Sequence, residues 1–298
     1  MDIGRPTLDQ IRIFLAVADA GSFNSAARKL GRALSVVSYG IASLEAQLGV
    51  ELFERHGSRR PQLTPAGRAL LADARAVSDE TDGLIARARG IRQGLETEVS
   101  LAFDVMVPSR TIAGLLRDFQ ETFPTVNLRL HVEALGAVAA LVIDEKAHLA
   151  LAGPNLLSLP ELERRAAGSV ELIPVAAPDH PLALSKLIVP GDIRRHLQLV
   201  LTDRSKLTEG RDFSVLSDRT WRLADLGAKH ALLLEGIGWG NMPAHAIADD
   251  LSAGRLVELS VPDSPRVKYN LNLLWRKDSR PGPACSWLLQ ALIDRQPS

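Results

Sequence analysis

Glycines at positions 21 and 31 cut the start of the chain into three short segments with apolar stripes, and that punctuation narrows the fold most. Ile11, Phe14, Leu15 and Ala18 fall at i, i+3, i+4 and i+7, one face of an amphipathic helix. Thr7 followed by Gln10 fits a capping box, which gives that helix a start signal. Gly21 closes it. Ser22 is the expected N-cap of a second, shorter helix with Phe23, Ala26, Ala27 and Leu30 inward, and Gly31 supplies the tight turn after it. The third helix carries Leu34, Val37, Ile41, Leu44 and Leu48 as one stripe predicted to be buried. Ser35, Ser38 and Tyr39 are then left facing outward.

Two short helices joined by a glycine turn, on a first helix that closes the core, make a helix-turn-helix. The second helix of such a pair fits the major groove while its partner crosses the backbone. Leu52 and Phe53 then anchor a loop over 54–64 with Arg55, His56, Arg59 and Arg60, predicted to be a wing whose cations meet phosphates. Net charge over the whole chain is zero, which alone says nothing for nucleic acid. Over 1–64, eight Lys/Arg stand against six Asp/Glu, and the cations concentrate at 28–32 and 55–60, the turn and the wing. The candidate DNA-contacting residues are therefore Ser22, Arg28, Arg32, Leu34, Ser35, Ser38, Tyr39, Arg55, Arg59 and Arg60.

The ordered run Ile11-x-x-Phe14, Gly21-Ser22-Phe23, Ala26-Ala27-x-x-Leu30, Ser38-x-x-Ile41, Leu44-Glu45-x-x-Leu48-Gly49, Leu52-Phe53-x-Arg55 and Leu63-Thr64-x-x-Gly67 resembles the N-terminal domain of LysR-type transcriptional regulators. Length and layout extend the resemblance over essentially the whole chain. It implies a winged helix-turn-helix, a linker helix that forms the dimer, and a two-lobed α/β effector domain like the periplasmic binding proteins. One departure stands out. The family usually reads Ser-Gln-Pro-Ala where this chain has Ala33-Leu34-Ser35-Val36. Ala33 cannot cap the helix, a loss of about 1 kcal/mol, and Leu34 cannot make the paired amide bonds by which glutamine reads adenine. Arg32 also replaces an apolar residue of the family pattern. Leu34 either packs inward or meets a thymine methyl.

Thr64 and Pro65 read as N-cap and first residue of a long helix reaching about residue 93, with Leu70, Leu71, Ala74, Val77, Leu84, Ile85, Ala88 and Ile91 along it. Its alanine-punctuated stripe needs a partner, either a second copy of the chain or the C-terminal domain. The expected division is 1–64 for the DNA-binding head, 65–94 for the linker helix and 95–298 for the effector domain. Within the last, lobe I takes about 98–161 and 267–298, and lobe II about 162–266.

Beyond a hinge at 94–97, strands and helices alternate as in an open α/β sheet. Strands are predicted at 99–103, 126–132, 149–152, 170–176, 198–201, 221–223, 237–242 and 267–274. Helices are predicted at 108–122, 134–144, 227–235, from Pro243, and at 283–294. Ligands of such lobes sit at the carboxyl ends of strands. That rule nominates Asp104, Val105, Met106, Ser109, Gly153, Pro154, Asn155, Thr202, Asp203, Gly238, Trp239 and Asn241. Ser109, in a helical first turn, suits an anion. Asp104 either repels an anion or merely caps or pairs locally.

Other chemistries find little support. Gly236-x-Gly238-x-Gly240 follows a helical stretch and lacks the strand-turn-helix context of a dinucleotide loop. The seven histidines form no metal-binding spacing, and Gly-x-Ser-x-Gly is absent. No enzyme activity, metal or cofactor is expected. The single cysteine, Cys285, excludes an internal disulfide framework and is predicted to be a buried thiol. With no signal pattern and no apolar run long enough to span a bilayer, the expected location is the cytoplasm, away from any membrane. The expected partners are double-stranded DNA bearing a promoter inverted repeat, a small-molecule effector, and further copies in a homodimer or homotetramer. The rival reading is a cytoplasmic small-molecule-binding protein with degenerate DNA recognition.

Overall fold

A computed structural model describes residues 5–54, 61–154, 159–189, 191–211, 213–262 and 265–295. The chain divides into two compact units, Met1–Arg89 and Gly90–Ser298.

The first unit opens with α1 (Leu8–Ala20), whose Thr7–Gln10 capping box forms as expected and whose end is closed by Gly21 in the left-handed conformation. Helix α2 (Phe23–Leu30) is capped by Ser22 and ends at Gly31, again left-handed. Helix α3 (Leu34–Leu48) starts at Ala33 without a side-chain cap bond. Ile13, Phe14, Val17, Ala26, Ala27, Val37, Ile41 and Leu44 form the core beneath the three helices. Gly40 lets α3 press onto α1, since a Cβ there would lie 2.7 Å from Ile13 Cδ1. Phe53 closes the core edge-on to Phe14 and Phe23, each at 5.7 Å. It also bridges Leu63 in antiparallel fashion, so the two ends of the wing loop are fixed. The loop's cations Arg55, Arg59 and Arg60 lie outside the described residues, as does His56. Helix α4 (Pro65–Arg92) starts at Thr64, whose hydroxyl accepts from the Gly67 N–H. Its first turns pack Leu70, Leu71 and Ala74 on the same core.

In the second unit, β1 (Glu98–Asp104), α5 (Ser109–Thr122), β2 (Asn127–Glu133), α6 (Gly136–Ile143) and β3 (Leu149–Ala152) follow in order. Strand β4 (Leu162–Ala176), α7 (Pro181–Leu184), β5 (Gln198–Leu201), β6 (Thr220–Leu223) and α8 (Leu226–Leu234) come next. Strand β7 (Trp239–Pro243), α9 (Ala248–Ser252), β8 (Val257–Glu258), β9 (Val267–Arg276) and α10 (Pro283–Asp294) complete it. The hydrogen-bonded strand order is β2-β1-β3-β9-β4-β7-β5-β6, with β8 against β4. Strand β1 runs parallel to β2 and β3, and β5 runs parallel to β6 and β7. Each lobe is thus a small parallel sheet. Strands β4 and β9 run antiparallel through both, and their register shifts between Ala166 and Ser169, beside left-handed Gly168.

Strand β1 is buried on both faces from Val99 onward, as covered parallel strands are. Phe103, Leu115, Phe119, Leu149, Leu273 and Leu288 place α5 and α10 on one face of lobe I. Val138, Ala139 and Val142 place α6 on the other, against Ala102 and Ala150. Lobe II closes over Ile173, Val175, Leu199, Leu233 and Met242. Glu96 accepts from the N–H groups of Ala284 and Cys285 at 3.1 and 3.0 Å, so a carboxylate caps α10 where the helix dipole favours one. Cys285 is buried, and that burial, with Glu96 nearby, pushes its thiol up to about 12.

Candidate functional site

The head presents α3 to solvent along the outer face. Leu34, Ser35, Val36, Ser38 and Tyr39 are all exposed, Leu34 at 43% and Tyr39 at 75%. Leu34 and Leu48 therefore leave the stripe predicted to be buried: they sit at the two helix ends, beyond the core formed by Val37, Ile41 and Leu44. The exposed face is apolar and hydroxyl-bearing, with no amide at its start. Arg28 is exposed at the end of α2. Arg32 grips Asp9 with two hydrogen bonds of 2.6 and 2.7 Å, and this bonding holds the Asp9 carboxyl below its usual range. Ser22 spends its hydroxyl on the cap, accepting from the Ser25 N–H at 3.0 Å.

A cleft lies between the carboxyl ends of β1 and β3 and the strands of lobe II. Its cavity holds about 200 Å³ and is walled by Met106, Leu135 and Pro154 from lobe I, and by Leu172, β5, Phe213, Ser214, Lys229, Asn241 and the Val267–Tyr269 end of β9. Asp104 sits just behind this wall. Its carboxylate accepts from the Met106 N–H at 2.9 Å and the Tyr269 hydroxyl at 2.8 Å, and burial pushes its pKa up to about 6 against those bonds. Burial and the neighbouring Asp104 charge in turn push the Tyr269 phenol far up. Asp203 reaches from the end of β5 to the start of α6, accepting from the Ala137 N–H at 2.7 Å and from the hydroxyls of Ser205 and Thr208. Gln198, buried at the start of β5, ties down the loop at 214–217 by donating to the Ser214 carbonyl and accepting from the N–H groups of Leu216 and Ser217.

These two sites, an outward α3 on a capped three-helix head and a cleft between two parallel sheets, agree with what known proteins show. Residues 8–68 match the bacterial regulatory helix-turn-helix of the lysR family, and residues 92–297 match the LysR substrate binding domain. The chain belongs to the LysR family. Among its relatives, the HTH-type transcriptional regulator AceR of Acinetobacter baumannii is 28% identical over 97% of both chains. A probable transcriptional regulator of Escherichia coli K12, YhaJ, is 28% identical over 96% of this chain and 95% of its own. An OxyR mutant from Corynebacterium glutamicum has the same fold, with a TM-score of 0.51 at 22% identity over 97% of this chain and 90% of that one. LysR-family proteins are transcriptional regulators with a DNA-binding and an effector-binding domain, and this chain carries both.

Of the cleft residues nominated from sequence in this LysR chain, Met106, Pro154 and Asn241 line the cavity. Thr202 and Asp203 line a neighbouring polar recess with Glu133, Asp144 and Asp225. Val105 is half-buried and Ser109 exposed, both away from the cavity lining. Asp104 and Gly153 are held behind the wall; a Cβ on Gly153 would overlap the Tyr269 hydroxyl. Trp239 turns into the lobe II core, its indole N–H donating to Ser217 Oγ at 3.2 Å. Gly238 makes the left-handed turn into β7, so the glycine-rich 236–240 segment runs from helix to strand, the reverse of a dinucleotide loop. Asn155 lies outside the described residues.

The strand-end rule does not point to Lys229, which also lines the cavity. It is 3% exposed on the inner face of α8, four residues before buried Leu233. Its Nζ donates to the Asn241 carbonyl at 2.8 Å, and desolvation brings its pKa down to about 8. The signal was its place on the Leu233 stripe, at the spacing reserved for apolar residues.

Proposed function

We propose that the chain works as a dimer joined through α4, with two copies of α3 reading the halves of an inverted repeat in promoter DNA. The observation that supports this is the seam on α4. Val77, Leu84 and Ile91 recur every seven residues and are exposed, Leu84 at 61%. A heptad repeat of apolar residues is the pattern of a helix that pairs with another copy of itself. Two heads on such a dimer suit half-sites about one helical turn apart. Further association to a tetramer, and a cytoplasmic location beside the DNA, belong to the same reading.

On each half-site, Leu34 offers its side chain to a thymine methyl, and Ser35, Ser38 and Tyr39 meet base edges or phosphates. Ser22, Arg28, Arg32 and the wing cations Arg55, Arg59 and Arg60 hold the phosphates. Arg32 exchanges its Asp9 partner for the backbone. The effector occupies the cleft and favours one arrangement of the lobes, which couples the two sites. The cleft residues carry binding, and no catalytic step is assigned to them.

Selection of genomic fragments by the purified protein at two salt concentrations tests this reading. A shared inverted repeat that survives the higher salt supports it. Binding that stays non-specific and salt-labile with candidate effectors present turns the argument towards a small-molecule-binding protein with a degenerate head. Arg59→Ala or Arg60→Ala is expected to weaken binding to all sequences and to lower the salt slope by about 1. Unchanged slopes in both variants would remove the wing from the phosphate contacts.

A further inference from the structure

Lys229 is an ammonium group enclosed by protein, with no carboxylate beside it among the described residues. It makes one hydrogen bond, to the Asn241 carbonyl, and no ion pair to it is found among the described residues. A buried charge is normally paired, because leaving water costs it several kcal/mol. The described walls of the cavity it lines supply no partner either. Among the described residues its walls include a second cation, Lys268 at the exposed mouth, and no Asp or Glu. The same walls hold a second unsatisfied group: Asn241 Oδ1 is buried without a hydrogen-bond donor. Gly240 keeps the space open, since a Cβ there would lie 3.0 Å from Lys229 Cε and 2.7 Å from the Leu199 carbonyl. Met106, Leu172, Phe213 and Val267 supply apolar wall, with Gln198, Ser214 and Tyr269 adding polar groups.

We infer that the effector is a small organic carboxylate, its anionic group held by Lys229 Nζ, a hydroxyl or amino donor directed at Asn241 Oδ1, and its carbon skeleton against Met106, Leu172 and Phe213. The inference rests on the cleft being the effector site. Cationic ligands are opposed by two ammonium groups, and a neutral ligand leaves Lys229 unneutralised. A cavity of about 200 Å³ lies below the usual range of about 300 Å³ and upward, which favours a small molecule.

The test is calorimetric titration of the full-length protein. The probes are small hydroxy- and amino-carboxylates, the matching carboxamides and amines, and inorganic phosphate. A carboxylate is expected to bind and its carboxamide to fail. Lys229→Gln should weaken the carboxylate about tenfold to a hundredfold, the worth of a charge-assisted bond. Wild-type affinity needs no variant: it should fall about tenfold per pH unit above about 8, where Lys229 loses its proton. Among the described residues, the other ionisable groups near Lys229 are Lys268 and Tyr269 on β9 and, on or beside its own helix, Asp225 and His230. Asp225 is taken by the α8 cap and His230 by Asp250.

The proposal is overturned if no carboxylate binds, if carboxamides or phosphate bind as well as carboxylates, or if Lys229→Gln binds undiminished. Val267→Trp, which fills the exposed mouth, separates the two levels of the argument. Loss of a neutral or cationic ligand in that variant keeps the cleft as the effector site and removes the carboxylate. Binding that survives Val267→Trp removes the cleft itself.

Discussion

Lys229→Met removes the buried ammonium while keeping a side chain of similar length, and the structure fixes how stability should respond to pH. Lowering a lysine from its ordinary 10.5 to about 8 means that its charge costs the folded state roughly 3 kcal/mol at neutral pH, at about 1.36 kcal/mol per pKa unit. Methionine escapes that cost but loses the Nζ bond to the Asn241 carbonyl. Pro174 stands opposite Asn241 in the β4/β7 ladder and has no N–H to offer in its place, so about 1–3 kcal/mol is forfeited. At pH 7 the variant should therefore be equal to the wild type or up to about 2 kcal/mol more stable.

The pH dependence is the sharper part. The folded pKa lies below the unfolded one, so between about 8 and 10.5 the unfolded wild type holds more protons, and wild-type stability rises with pH. Methionine does not titrate. The stability of the wild type relative to the variant should thus stay level below pH 8 and climb by most of roughly 3 kcal/mol by pH 10. Urea unfolding followed by tryptophan fluorescence reads the right unit, because Trp221, Trp239, Trp275 and Trp287 all fall within Gly90–Ser298. A difference between the two proteins that does not change from pH 7 to pH 10 would refute the reasoning.

Three other outcomes follow from single contacts. Gly153→Ala drives a methyl into the Tyr269 hydroxyl and strips Asp104 of a donor, so thermal unfolding should show a loss of about 2 kcal/mol or more. Glu96→Ala leaves two N–H groups at the start of α10 uncapped; chemical denaturation should show a loss of about 1–3 kcal/mol, and Glu96→Gln a smaller one. Thr7→Ala removes half of the capping box on α1 and should cost about 1 kcal/mol by circular dichroism melts, leaving the effector unit's transition unmoved.

The head was legible from sequence because its signals are local. Thr7, Ser22, Gly21 and Gly31 each do what their positions imply, and the final helix at Pro283–Asp294 and the strands at Leu149–Ala152 and Gln198–Leu201 fall where the apolar runs end. What escaped was non-local. The first half of β4 reads Glu163, Arg164, Arg165, all exposed, and is a strand only because β9 pairs with it from a hundred residues away. Strand β8, two residues long, has no pattern to betray it. Trp239 and Asp104 followed the rule that sites gather at strand ends, yet one is spent on core packing and the other on bonding Tyr269. Lys229 went unnoticed for the opposite reason: lysine is so seldom enclosed that its place on an apolar stripe is discounted.

The two uninterrupted strands shared by the lobes constrain how a signal can move through this unit. Lobes on a slack tether could swing in any direction. Here lobe I is stitched to β9 through β3 and lobe II to β4 through β7, so one cannot turn without wringing the β4/β9 ladder between them. The ladder is already broken at one place, between Ala166 and Ser169. A twist about the strand axis would meet least resistance there, because the ladder bonds are locally disrupted at such a shift. Such an arrangement has the form of a torsion bar with one thinned section, and a displacement in the cleft would reach the other lobe as rotation about it.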